Sequence, residues 1–133
     1  VISGEISGIA GPLKSIAGNP LYADITLLPN GIVSVHVPSG DTVFAYVVEG
    51  ALGVDEIEPT YFAPGTILLF ERQGDVVSLR APVMGARFLL ISGAPLNEPI
   101  AWHGPIVMNT DEELRTAFRE LNEGSFLRRD TFQ

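Results

Sequence analysis

The chain has 133 residues, 46% of them hydrophobic, with 16 acidic residues against 8 basic ones and a net charge of −8. That describes one globular domain's worth of chain around a single core, and its negative charge repels phosphate backbones and anionic membrane surfaces, so neither direct nucleic-acid nor membrane binding is expected. The absence of cysteine removes disulfides and thiolate chemistry, and with no signal-peptide pattern the expected location is cytoplasmic.

Residues 1–20 (VISGEISGIAGPLKSIAGNP) are rich in Gly, Ser and Pro and read as a linker-like lead-in with little core-forming content. Seven short runs enriched in β-branched and aromatic residues follow, at 21–28, 32–37, 43–48, 60–62, 66–70, 76–79 and 86–92. The breaks between them include Pro29-Asn30-Gly31, Pro38-Ser39-Gly40-Asp41, Pro64-Gly65 and Gln73-Gly74-Asp75, all with turn chemistry. Closely spaced strands with no helical period between them predict an antiparallel sandwich or barrel over 21–109. Asp55-Glu56-Ile57-Glu58 lacks the ligand alternation of a calcium loop and reads as a solvated turn.

The period changes only near the end. Thr110-Asp111-Glu112-Glu113 has the form of a capping box, which predicts a helix over 110–124 closed by Gly124, with a tail at 125–133. Leu114, Ala117, Phe118 and Leu121 fall at i, i+3, i+4 and i+7, a single apolar stripe that must lie on this domain or on a partner. Glu112–Arg115 and Arg119–Glu123 are spaced to pair on the exposed side. Just before the helix, residues 98–110 (EPIAWHGPIVMNT) set the only tryptophan, Trp102, beside His103. This stretch reads as the last turn of the barrel, with Trp102 and Met108 filling the space beneath it and His103 a satisfied loop residue.

In these residues the chain resembles the C-terminal half of pirins, members of the cupin superfamily. Gly4-Glu5-Ile6-Ser7-Gly8 with Gly11-Pro12 resembles the segment joining the two pirin halves, and Leu21-Tyr22-Ala23-Asp24-Ile25 resembles the first strand of the second half. Arg87-Phe88-Leu89-Leu90, the run from Gly93 to Pro99 and the run from Trp102 to Thr110 resemble the family's closing signature. The resemblance implies an all-β, cupin-type double-stranded β-helix (an antiparallel jelly-roll barrel) with one C-terminal amphipathic α-helix. It also implies an N-terminal barrel, outside these residues, whose metal (usually iron) is held by three histidines and a glutamate. Some pirins resemble or act as quercetin dioxygenases, and others are described as transcriptional co-regulators.

A metal-binding cupin strand carries His-x-His before a hydrophobic strand that ends in Glu-Gly. Here the corresponding stretch runs from His36-Val37-Pro38 to Val48-Glu49-Gly50. The first ligand position falls on His36, the second on Pro38, which has no donor atom, and the later ones near Ser78 and Arg80. These positions are expected to be vacant, with no catalytic residue and no cofactor in this chain. Two histidines and no cysteine cannot form a three-histidine site. A two-histidine, one-carboxylate set from His36, His103 and Glu49 or Glu71 has no spacing signal behind it. His36 then reads as a strand residue with a hydrogen-bond partner. Arg80 with Ser78 and His36 would line an anion pocket only if all three pointed inward, and an Arg80–carboxylate pair is the plainer account.

The expected function is therefore a non-catalytic cupin module in which Trp102, His103, Met108, Leu114, Phe118 and Leu121 serve docking or structure. Its expected partner is the N-terminal cupin domain of the same protein or a second copy of this chain. Two alternatives stand beside it. One is a fragment of a pirin-like, quercetinase-like metal-dependent dioxygenase whose activity resides in the other half; the other is a free-standing barrel that binds a small ligand.

Overall fold

The computed structural model describes residues 1–14, 16–54 and 57–127, and in it the lead-in is folded. Strands β1 (Glu5–Ile6) and β2 (Ile9–Ala10) form an antiparallel hairpin, turned by Ser7 and Gly8 at positive φ. The Ile2 and Ser3 amides both donate to the Tyr22 carbonyl, the Tyr22 amide donates back to Ser3, and Ile6 packs on the main core. Backbone hydrogen bonds tie this segment down, so its poverty in apolar residues misrepresents it as a linker.

Two four-stranded antiparallel sheets follow. The first, in the order β3-β10-β5-β8, is built from β3 (Leu21–Leu27), β5 (Thr42–Gly50), β8 (Ile67–Leu69) and β10 (Ala86–Gly93). The second, in the order β4-β9-β6-β7, takes β4 (Ile32–His36), β6 (Leu52–Val54), β7 (Thr60–Phe62) and β9 (Val76–Arg80). All the sequence-predicted runs are strands, and β6 is an addition that Gly53 had obscured. Side chains alternate across each pleat. Ala86, Phe88, Leu90 and Ser92 of β10 point inward with Val43, Ala45 and Val47 of β5, and they meet Val35, Leu52, Val77 and Leu79 of the second sheet in one buried cluster. A bulge opposite Arg87 and Phe88 breaks the β10–β5 register. This is the all-β, cupin-type architecture with a single C-terminal helix.

The barrel unit ends at Pro95, earlier than expected, and Leu96–Gln133 form a second unit. Residues 98–110 are not the last turn of the barrel. They contain β11 (Ala101–His103) and β12 (Ile106–Met108), which pair as a hairpin across Gly104-Pro105. Gly104 has φ 55 and proline fixes a negative φ after it, the pattern of a type II′ turn. Helix α1 (Asp111–Glu123) follows, with the Thr110 capping box formed on both sides and Gly124 as a left-handed C-cap. Leu114 and Ala117 pack on Ala101 and Ile106, with Met108 and Phe118 at the edge of that small core. The predicted Glu112–Arg115 and Arg119–Glu123 ion pairs do not form: among the described residues, only Arg87 makes ion pairs.

Candidate functional site

Alternation in β4 and β9 sets which way the positions named from the sequence face. Val35 is buried and its neighbours Ser34 and His36 are exposed; Val77 and Leu79 are buried, with Ser78 and Arg80 on the opposite face. His36 and Ser78 therefore share the outer face, and Pro38, just beyond β4, is exposed as well. The inward positions here are Val35, Val37, Val77, Leu79 and Ala81, all buried and none a donor. Ser34 and Ser78 bond to each other across the strands at 3.0 Å, and Arg80 lies over Gly53 beside the Tyr61 ring. The His36 imidazole makes no hydrogen bond among the described residues, so the expected partner is not there. No group of three or more His, Asp or Glu residues could hold a metal among the described residues. These residues do not fit a three-histidine, one-glutamate set. The solvated turn expected at Asp55-Glu56-Ile57-Glu58 falls partly on Asp55 and Glu56, which lie outside the described residues.

The barrel has a small mouth. A cavity of about 260 Å³ lies between the β4–β5 and β8–β9 connections, lined by Val37, Asp41, Val43, Phe70 and Arg72 among others. Ligand pockets run from roughly 300 Å³ upward, so this one lies just below that range.

The outer face of the β3-β10-β5-β8 sheet is of a different kind. Register places Tyr22, Ile91, Phe44 and Leu69 in one row across the four strands, and Asp24, Leu89, Tyr46 and Ile67 in the next. Ile67 is 62% exposed and Leu69 71%. The solvated face of an antiparallel sheet is ordinarily polar, and a contiguous apolar and aromatic face marks an interaction surface. At its margin Arg87 donates to both Asp24 carboxylate oxygens, at 2.7 and 3.1 Å, and lies 3.6 Å from Glu49. The Arg87 guanidinium holds the Asp24 carboxyl below its ordinary value, and Asp24 in turn raises Arg87. Sequence reasoning missed this face. Its signal was legible: FAYVV and FLLI are continuous apolar runs where a strand with one wet face would alternate.

In the second unit, Trp102 is not buried. It is 74% exposed, and its indole Nε1 donates to the Gly104 carbonyl at 2.8 Å, which holds the ring in place. The His103 ring meets Phe118 edge-on at 5.3 Å. Trp102, His103, Leu114 and Phe118 line a groove of about 660 Å³ along α1, together with Asp111, Arg115, Arg119, Asn122 and Glu123. Of the six residues expected to serve docking or structure, Trp102, His103, Leu114 and Phe118 line the groove, and Met108 packs on the small core beside the helix. Leu121 lies half-exposed on α1.

Comparison with known proteins matches residues 22–127 to the pirin C-terminal cupin domain. The chain belongs to the pirin family. It is 36% identical to pirin from Homo sapiens over 129 residues, covering 93% of this chain and 44% of that protein. It is 40% identical to a pirin-like protein from Caulobacter vibrioides over 129 residues, covering 95% and 44% respectively. A solved structure of quercetin 2,3-dioxygenase from Acinetobacter baumannii superposes with a TM-score of 0.85 at 33% identity, over 94% of this chain and 42% of that one. The chain spans about half the length of the curated relatives it matches. No helix among the described residues is long and apolar enough to cross a membrane.

Proposed function

We propose that this chain is the non-catalytic C-terminal cupin module of a pirin-like protein, and that it works by packing against a metal-bearing N-terminal cupin half. The observation that carries this reading is the apolar outer face of the β3-β10-β5-β8 sheet. Apart from Asp24, which pairs with Arg87, the two rows of side chains that span the four strands there are apolar or aromatic, a surface that a second domain would cover. The outward orientation of His36 and Ser78 supports assigning chemistry to the other half, as does the apolar lining of β4 and β9. Iron belongs to that half under this reading. The solved relative named quercetin 2,3-dioxygenase supports an oxygenase activity for the whole protein, absent from this chain alone.

The test mixes the 133-residue chain with a separately produced N-terminal half and measures molar mass by light scattering. A one-to-one complex is expected, and it is lost in the Ile67→Lys/Leu69→Lys variant, which replaces two exposed side chains and is checked for retained fold by circular dichroism. A chain that stays monomeric in the mixture, or a variant that associates as well as the parent, contradicts the proposal. Self-association of the chain, lost in the same variant, would assign the face to a second copy instead.

A further inference from the structure

The open edge of the first sheet makes a demand of its own. Strand β8 is the last in the order β3-β10-β5-β8, so only one of its sides has a neighbour. The Val47 amide donates to the Thr66 carbonyl and the Phe70 amide to the Val43 carbonyl, both at 3.0 Å, with Ala45 opposite Leu68 between them. Antiparallel pairing alternates along a strand, so Thr66, Leu68 and Phe70 turn their backbone groups toward β5. Ile67 and Leu69 turn theirs away, and these N–H and C=O groups meet no partner among the described residues. Besides keeping an edge strand short, folded proteins blunt such an edge with a charge or a proline. Thr66-Ile67-Leu68-Leu69-Phe70 has neither. At the other end of the sheet, by contrast, Ile2 and Ser3 already pair with Tyr22 of β3.

The same two residues carry side chains that stand out at the margin of the apolar face, Ile67 being 62% exposed and Leu69 71%. A domain laid on that face takes water from these side chains and from the backbone groups beside them. Backbone donors and acceptors shut off from water need partners, and a strand is the element that offers them at the matching repeat. We propose that the N-terminal half of the protein adds a strand to β8, pairing with the outward backbone groups of Ile67 and Leu69, so that the first sheet continues into the other half. Strand addition at a free sheet edge is a recurring recognition mode, in which main-chain bonds give affinity and alternate side chains give specificity. The added strand carries apolar side chains on the side it shares with Ile67 and Leu69, because a charge there would be desolvated without a partner. The choice of occupant rests on the reading above, in which the other half covers the face to which this edge belongs. About half the length of the curated relatives lies outside this chain, so that half has strands to give.

Amide hydrogen exchange, read by NMR on the full-length protein and on the 133-residue chain, tests the added strand. The Leu68 amide faces β5 in both and is the internal reference. In the chain alone, the Ile67 and Leu69 amides should exchange much faster than that of Leu68. In the full-length protein they should slow, relative to Leu68, by about tenfold or more. Leu69→Pro removes one outward donor and no bond to β5, so it should abolish the gain at Ile67. Leu69→Ala shortens the side chain but keeps the donor, and should retain the gain; protection at Leu68 checks that both variants keep β8. Equal exchange at Ile67 and Leu69 in the two samples overturns the proposal. A gain that survives Leu69→Pro overturns it too, because shielding by the covered face then explains the protection without a strand. Hydroxyl-radical oxidation of Phe44 and Tyr46 on the same samples separates the two readings: shielded side chains beside unprotected amides leave the face covered and remove only the added strand. Protection that appears in the chain alone and grows with its concentration assigns the edge to a second copy and overturns the proposal as well.

Discussion

Single residues carry several local decisions in this fold. Ser92 is 2% exposed in the interior of β10, and its hydroxyl has no partner among the described residues. An orphaned buried hydroxyl costs about 1–3 kcal/mol, so Ser92→Ala is expected to leave the urea midpoint unchanged or raise it. Gly50 sits at φ 73, and a Cβ there would overlap the Gly85 carbonyl oxygen. Gly50→Ala therefore combines left-handed strain with a backbone clash and should destabilise by well over about 1 kcal/mol in the same measurement. Asp24 sets a pH dependence. Its carboxyl is held below its ordinary value when folded, so its contribution is fully present above the unfolded value and is lost as pH falls through the folded one. Denaturation across the acidic range should show that loss, and Asp24→Asn should flatten it. Because the pair is partly exposed, the effect shrinks with added salt.

At the scale of elements, α1 was readable to the residue because its signals are local. Thr110 caps it, Glu113 reaches back to the Thr110 amide at 3.0 Å, and Gly124 ends it. Thr110→Ala should cost about 1 kcal/mol of stability, read as a lowered urea midpoint with the fold retained. The strands from 21 to 92 were legible through their turn residues except for β6, which Gly53 obscured. The hairpin of β11 and β12 was not. Its strands have three residues each and the alternation is too short to register, so Trp102 and its neighbours looked like one barrel turn. The β1–β2 hairpin was missed for another reason: its order comes from backbone bonds to Tyr22, which composition cannot show. The positions named along β4 and β9 were located by motif spacing, which does not give their facing. A period of two puts Val35 inside and His36 outside, and a one-residue difference separates lining from surface.

Across the whole chain, two surfaces ask for partners, and they differ in chemistry. The β3-β10-β5-β8 face is broad and mainly apolar, with Arg87, Asp24 and Glu49 beside it; the α1 groove sets aromatic side chains among charges of both signs. The first suits a permanent neighbour, because large apolar contact resembles a domain core cut in half. The central claim is that this face is covered when the other half of the protein is present. Hydroxyl-radical footprinting reads side-chain access directly, on the chain alone and in its mixture with the N-terminal half. The account predicts that oxidation of Phe44, Tyr46, Ile67 and Leu69 drops several-fold in the mixture while that of Trp102 holds. Unchanged oxidation of those four side chains would contradict it.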